Sequence, residues 1–229
     1  MDGGKMKKFV YIFILALVLA GCSNVEQNQE NKITDVTDLH FNDYAVLGDP
    51  DAPVTLIEFS DYQCPFCKKF TLETLPAIKE EYIDTGKVRF IFRDFPLKIH
   101  DMAREAAVAA QCAGEQRKYF GYHDLLFENS QELTIENFKA WAADLGLDTD
   151  MFAACLENPE RVRNLETDIA DAKELGVSGT PSFFINEHFM TGAQPFAAFK
   201  QLIEAELDNT FVLEESAEAT CNTTADCGE

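Results

Sequence analysis

Two cysteines with two residues between them, Cys64-Pro65-Phe66-Cys67, are the residues of this chain best placed to do chemistry. They follow an apolar run, Val54-Thr55-Leu56-Ile57-Glu58-Phe59, and open a segment of helical spacing, Lys68 to Tyr82. A thiol at a strand-to-helix junction sits at the positive end of the helix dipole, which lowers its pKa and makes it a nucleophile. Cys64, the nearer to the helix start and the more exposed of the two by that placement, is the expected attacking thiol. A C-x-x-C pair can also be half of a zinc site, which needs a second ligand pair. No further C-x-x-C or H-x3-5-H is present, so thiol–disulfide exchange is the favoured reading and zinc the alternative. Glu58 lies six residues before Cys64. On a buried strand its carboxyl has a raised pKa and can move a proton near neutrality; on an edge strand it faces water. His100 and His123 could face the same site or serve as ordinary surface and packing residues.

Positioning these groups falls to a β-α-β unit. The first strand is Val54 to Phe59, and the helix carries apolar Phe70, Leu72, Leu75 and Ile78. Pro76 is expected to bend that helix and Gly86 to stop it. Val88 to Phe92, β-branched and aromatic, is the second strand, ended by Arg93-Asp94-Phe95-Pro96. The two strands are expected to be parallel with a right-handed crossover. From His100 to Gly176 only a 3.6-residue period appears. Helices are predicted from Met102 to Cys112, Tyr119 to Phe127, Ile135 to Leu145 with Thr134 as cap, and Met151 to Glu157 capped by Thr149 or Asp150. A last one runs from Pro159, a residue suited to a helix start, to Leu175. Strands resume at Ser182 to Ile185, turn at Asn186-Glu187, return over His188 to Thr191, and lead into an amphipathic helix, Pro195 to Leu207.

The 229 residues allow one domain carrying an elaborate insertion. At the N-terminus, Lys5, Lys7 and Lys8 precede an unbroken apolar run of 12 residues, Phe9 to Ala20, too short to cross a membrane comfortably. Leu19-Ala20-Gly21-Cys22 resembles a lipobox, which implies cleavage before Cys22 and lipid on its sulfur; an ordinary secretory signal or an uncleaved anchor are the alternatives. Each places the body of the protein outside the cytoplasm. Ser23 to His40 is polar, lacks aromatic residues, and reads as a disordered tether of about 25 Å r.m.s. span. The net charge of −21 makes nucleic acid an unfavourable partner and fits a soluble surface. With Cys22 lipidated, six of the seven cysteines remain, an even set fitting disulfides in an exported protein. Cys64 pairs locally with Cys67, and Cys221 and Cys227, close together near the C-terminus, are expected to form a small tail disulfide, with electron relay to Cys64 or metal binding as the alternatives. That leaves Cys112 and Cys155 for a structural bridge worth on the order of 4 kcal/mol, unless both are free buried thiols.

A β-α-β unit followed by β-β-α, with C-x-x-C at the first strand-to-helix junction, is the layout of a thioredoxin fold. An all-helical insertion between the second and third core strands resembles its DsbA-like branch of thiol:disulfide oxidoreductases. The matching residues are Glu58-Phe59 with Cys64-Pro65-Phe66-Cys67, Phe92-Arg93-Asp94-Phe95-Pro96-Leu97, Tyr122-His123-Asp124 with Leu126-Phe127, and Leu175-Gly176-Val177 with Gly179-Thr180-Pro181. The resemblance covers about Tyr44 to Leu207. It implies a thioredoxin-like domain of residues 41–96 and 177–208 and an inserted subdomain of 97–176; outside these lie the expected signal peptide of 1–21, the lipidated tether of 22–40 and the acidic tail of 209–229. It also implies that Pro181 is a cis-proline, that the Thr180 backbone pairs with substrate beside the cysteines, and that Glu58 serves Cys67. Composition alone would allow a trans turn at Pro181.

The same resemblance implies a mechanism: a substrate thiolate attacks the Cys64–Cys67 disulfide, a mixed disulfide forms at Cys64, and the substrate's second thiol resolves it. Reduced exported proteins would be the substrates, and a membrane or soluble redox partner would restore the disulfide. Neither cofactor nor metal is needed. Phe66 stands where the branch's best-known motif has histidine, and implies a potential between about −270 mV for thioredoxin and about −120 mV for DsbA. The rival readings are a reductase or isomerase of exported disulfides, and a non-catalytic module that binds peptide or metal.

Overall fold

The computed structural model describes Leu39 and residues 43–208. Cys22, the signal, nearly all of the tether, and the tail bearing Cys221 and Cys227 lie outside the described residues. A five-stranded sheet organises the rest, in the order β1-β3-β2-β4-β5. β2 (Val54–Ser60) and β3 (Val88–Asp94) are parallel and joined by α1, residues 65–83. β4 (Ser182–Ile185) pairs antiparallel with β2, and β5 (His188–Thr191) antiparallel with β4. β1 (Val46–Leu47) adds a short antiparallel edge to β3. Five helices lie between β3 and β4: α2 (Ala103–Glu115), α3 (Tyr119–Glu128), α4 (Ile135–Asp144), α5 (Thr149–Leu156) and α6 (Pro159–Glu174). α7 (Phe196–Leu207) ends the described fold. This is the thioredoxin fold with a helical insertion that the resemblance implies.

Register decides which side chains meet. Glu58 lies opposite Phe92 on β3 and Phe183 on β4, so these three share one face of the sheet. α1 and α7 cover that face through Phe70, Phe183 and Phe199, whose ring centroids lie 4.5–5.2 Å apart, and α3 covers it beside Phe92. Phe59 and Arg93 point to the other face, where α6 docks. Burying each of these phenylalanines stabilises the fold by about 1.5–3 kcal/mol.

Several expected boundaries shift. β3 runs on through Arg93 and Asp94, where the sequence pattern places its end. Both are buried because Arg93 donates to Asp168 Oδ1 (2.9 Å) and Asp171 Oδ2 (2.6 Å) on α6, while the Asp94 N–H donates to Asp168 Oδ2 (3.1 Å). α1 is interrupted by π-helical turns at Phe70–Thr74 and Lys79–Ile83, with Pro76 at the start of the α-turn between them. Leu72 turns outward, 42% exposed, since two residues after Phe70 carry a helix about half-way round. α5 is capped by Asp148, whose carboxylate accepts from the N–H groups of Asp150 and Met151, rather than by Thr149 or Asp150. Pro195 precedes α7 as its cap position. Thr134 caps α4, accepting the Asn137 N–H at 3.1 Å. Cys112 on α2 and Cys155 on α5 are joined as a disulfide, with Cα atoms 5.7 Å apart.

Candidate active site

β2 ends at Ser60, and the next four residues turn the chain into α1. The turn is closed by the Cys64 N–H donating to the Asp61 carbonyl at 3.0 Å. Cys64 is the N-cap, with extended backbone (φ −72°, ψ 121°), and Pro65 fills the first helical position. Proline suits that position because its missing N–H would have no partner there. The Cys64 sulfur therefore faces the unpaired amides of the first turn, and it is 4% exposed while Cys67 is fully enclosed. Both thiols are free, unlike Cys112 and Cys155.

Environment divides the two thiols. The Cys67 thiol donates towards Cys64 and draws its pKa down from 9.0 to about 5; burial opposes this, and the Thr180 hydroxyl with the amides of Cys67 and Phe66 reinforces it. Cys67 is pushed well above its ordinary range, first by burial and then by its donation to Cys64. At neutral pH the pair thus carries one thiolate, on Cys64, and one proton, on Cys67. Above Cys64 lies the Thr180–Pro181 peptide, which is cis. The Thr180 carbonyl is 3.4 Å from Cys64 Sγ and accepts its S–H when the thiol is protonated. Two bonds hold this loop: the Gly192 N–H to the Pro181 carbonyl (2.8 Å), and the Ser182 hydroxyl to the Gly179 carbonyl (2.7 Å).

Glu58 is wholly buried on central strand β2 rather than on an edge. Burial raises its pKa from 4.5 to about 8, more than the Ser60 hydroxyl, donating to Oε1 at 2.7 Å, can offset; the Cys64 thiolate raises it further. Its Oε2 has no protein partner. The charge of Glu58 and the hydroxyl of Ser60 both act on Cys67, so the three form a buried proton-holding group behind the thiols. Ser60 has no local signature in the sequence beyond its place two residues after an acid on the same strand face.

The two histidines separate. His123 is fully buried among Tyr62, Phe92, Phe120 and Phe127, with ring centroids 4.8–5.8 Å away, and burial lowers its pKa. It packs the wall behind the active-site turn. His100 instead touches that turn: its Nδ1 is 2.7 Å from Asp61 Oδ2. Sequence reasoning missed Asp61 and Gln63, which fasten the turn from within. Phe66 is 61% exposed and Ile99 79% exposed. Among the described residues, no group of three or more His, Cys, Asp or Glu side chains is placed to hold a metal ion, and no helix is long and apolar enough to cross a membrane.

The family model described as Thioredoxin matches residues 42–205. The chain belongs to the thioredoxin family. A second match, residues 6–23, is to the prokaryotic membrane lipoprotein lipid attachment site, which ends just past Cys22. Among curated relatives, the probable disulfide bond formation protein D of Bacillus cereus is 32% identical over 174 residues, covering 70% of this chain and 77% of that one. The Na(+)/H(+) antiporter NhaA 3 of Salinispora tropica is 37% identical over 142 residues, 62% of this chain but 21% of the antiporter, so this chain spans about a fifth of that relative's length. Two solved structures superpose closely. Oxidised BdbD from Bacillus subtilis is 29% identical with a TM-score of 0.66, covering 72% of this chain and 92% of that one. Wolbachia pipientis α-DsbA1 is also 29% identical with a TM-score of 0.67, covering 77% and 96%.

Proposed function

We propose that this protein is an extracytoplasmic, lipid-anchored thiol:disulfide oxidoreductase that introduces disulfides into exported proteins. The observation that carries the reading is the division of the C-x-x-C pair into a stabilised thiolate on Cys64 and a protonated, enclosed Cys67. A low pKa stabilises the reduced form, by about 1.4 kcal/mol for each pKa unit, and so makes the disulfide more oxidising. That supports oxidation over reduction or isomerisation. The named disulfide bond formation relative and the lipid attachment site support the direction and the location.

In this mechanism a substrate thiolate attacks Sγ of Cys64, and Cys67 leaves as the thiolate. Cys67 must then be protonated, and Glu58, holding a proton up to about pH 8, is the donor, with Ser60 as the hydroxyl between them. Thr180 presents its backbone to the bound peptide beside the mixed disulfide, and Pro181, lacking an N–H, keeps that edge open. The substrate's second thiol attacks its own sulfur in the mixed disulfide, leaving Cys64 as thiolate and releasing an oxidised product. Re-oxidation of the pair falls to a membrane or soluble redox partner.

Equilibration of the purified protein with glutathione tests the direction. A potential above about −230 mV is expected, and one well below it makes the protein a reductase. A Cys67→Ser variant is expected to accumulate a mixed disulfide with a reduced exported protein. If it traps none and the wild type oxidises nothing, the protein is not an oxidoreductase.

A further inference from the structure

Asp61 is 1% exposed, and its carboxylate is filled by three nitrogen groups from two segments of chain. The Gln63 N–H donates to Oδ1 at 2.8 Å. The Leu97 N–H donates to Oδ2 at 2.7 Å, and His100 Nδ1 meets the same oxygen at 2.7 Å. A carboxylate so enclosed is costly unless its oxygens are bonded, so each donor matters. The Leu97–His100 turn closes on itself through the His100 N–H and the Leu97 carbonyl at 3.0 Å. A third tie runs alongside, the Met102 N–H to Gln63 Oε1 at 2.6 Å. Residues 61–63 are thereby bolted to residues 97–102. The Asp61 carbonyl, in turn, accepts the Cys64 N–H and sets where the N-cap sulfur lies relative to the amides of Phe66 and Cys67.

We infer that His100 and Asp61 are positioning residues for thiol–disulfide exchange: the ring, donating from Nδ1, clamps the Asp61 carboxylate and so holds Cys64 against the first-turn amides. His100 acts in this way only if Cys64 is the exchanging thiol, as proposed above. Without the ring, one lone pair of a buried carboxylate loses its donor and the turn relaxes. The amides then aim less well at the sulfur, the thiolate loses support, and the disulfide becomes the weaker oxidant. Asparagine suits this geometry as a replacement, since its amide NH2 can donate from near the place of Nδ1, whereas alanine cannot.

The test compares full-length mature wild type with His100→Ala, His100→Asn and Asp61→Asn in three measurements: glutathione equilibrium, rate of Cys64 alkylation by iodoacetamide against pH, and thermal unfolding. His100→Ala is expected to shift the equilibrium towards the protein disulfide by about three- to tenfold, the range of one lost hydrogen bond. It should also move the alkylation midpoint to higher pH, and His100→Asn should restore most of both. If His100→Ala lowers only the unfolding temperature and leaves equilibrium and alkylation as in the wild type, the positioning role is overturned. It is equally overturned if asparagine behaves like alanine. Should His100→Ala not fold, Asp61→Asn takes its place: both readouts are expected to move in the direction given for His100→Ala, and wild-type values of both overturn the positioning role. Failure of the wild type to form a Cys64–Cys67 disulfide at all would instead overturn the exchange reading; that outcome is separate from an unchanged variant.

Discussion

The two cysteine pairs of the described fold answer the same chemical question in opposite ways. Cys112 and Cys155 are 43 residues apart, sit within α2 and α5, and are joined. Cys64 and Cys67 are three apart, sit at a helix start, and are free. Both pairs are buried, so burial does not separate them. Donors do. The neighbouring Cys67 thiol, the Thr180 hydroxyl and the amides of Cys67 and Phe66 favour the Cys64 thiolate. Those groups hold a thiolate ready and make the reduced state comfortable. A pair inside the helical insertion closes a long loop and gains from staying closed, because the unfolded chain is then constrained. Reactivity here is a property of what surrounds the sulfur at a helix end, and permanence a property of loop length.

Removing one sulfur from each pair gives the sharpest contrast. Cys64→Ser is expected to abolish oxidation of a reduced substrate, while below about pH 5, where the thiolate contributes no stability, thermal unfolding of the reduced protein stays nearly unchanged. Cys112→Ala with Cys155→Ala should do the reverse: a loss on the order of 4 kcal/mol in denaturant unfolding, from the 43-residue loop, with the activity of the remaining folded fraction kept. If the double variant loses activity in proportion to Cys64→Ser at full folding, the two pairs communicate and the division of labour is wrong.

How visible this was in the chain differs between the two ends of the argument. β2 to β5 and the helices announce themselves by apolar runs or period, several with Gly or Pro at an end, because their burial patterns are local. Arg93 and Asp94 looked like a strand end, since their partners Asp168 and Asp171 lie on α6, beyond reach of any local pattern. β1 is two residues long, too short for a period to show. At the site, the thiols and Glu58 were legible from spacing and strand context. The cis peptide before Pro181 came from resemblance, as nothing in Gly179-Thr180-Pro181 distinguishes cis from trans. Asp61 and His100 were not legible as a pair: they are 39 residues apart, and only the folded turn brings them to 2.7 Å.

A smaller effect separates the buried acids from the thiolate. Glu58 holds its proton to about pH 8 folded against 4.5 ordinarily, and Asp94, raised chiefly by burial and then by Asp168, to about 8 against 3.8. Both bind protons more tightly when folded, so their contribution is fully present below about pH 4 and is lost as pH rises towards 8. Cys64 has the opposite sign: lowered from 9.0 to about 5, it contributes above pH 9 and loses that contribution as pH falls through 5. The oxidised protein has no Cys64 titration and leaves the acids set against His123, whose lowered pKa adds stability as pH rises. Its stability is expected to fall between pH 5 and 8 by an amount on the order of a few kcal/mol. Glu58→Gln and Asp94→Asn should each flatten part of that slope in urea unfolding at several pH values. A reduced protein with the same slope as the oxidised one would show that Cys64 is not the thiolate.

Phe66 gives the smallest effect on stability and the finest reading of the comparison. It is 61% exposed between the two thiols, so Phe66→His should alter unfolding by less than about 0.5 kcal/mol. It does place a ring N–H, positively charged below about pH 6.5, beside a thiolate that already draws on a thiol, a hydroxyl and two amides. Added support for the thiolate favours the reduced protein, so the glutathione equilibrium should move away from the protein disulfide, and more at pH 6 than at pH 8. An equilibrium unmoved at both pH values would mean that the donors already around Cys64 saturate its sulfur. The contrast with Cys112 and Cys155 would then lie wholly in the helix end and the Thr180 loop, not in the residues between the cysteines.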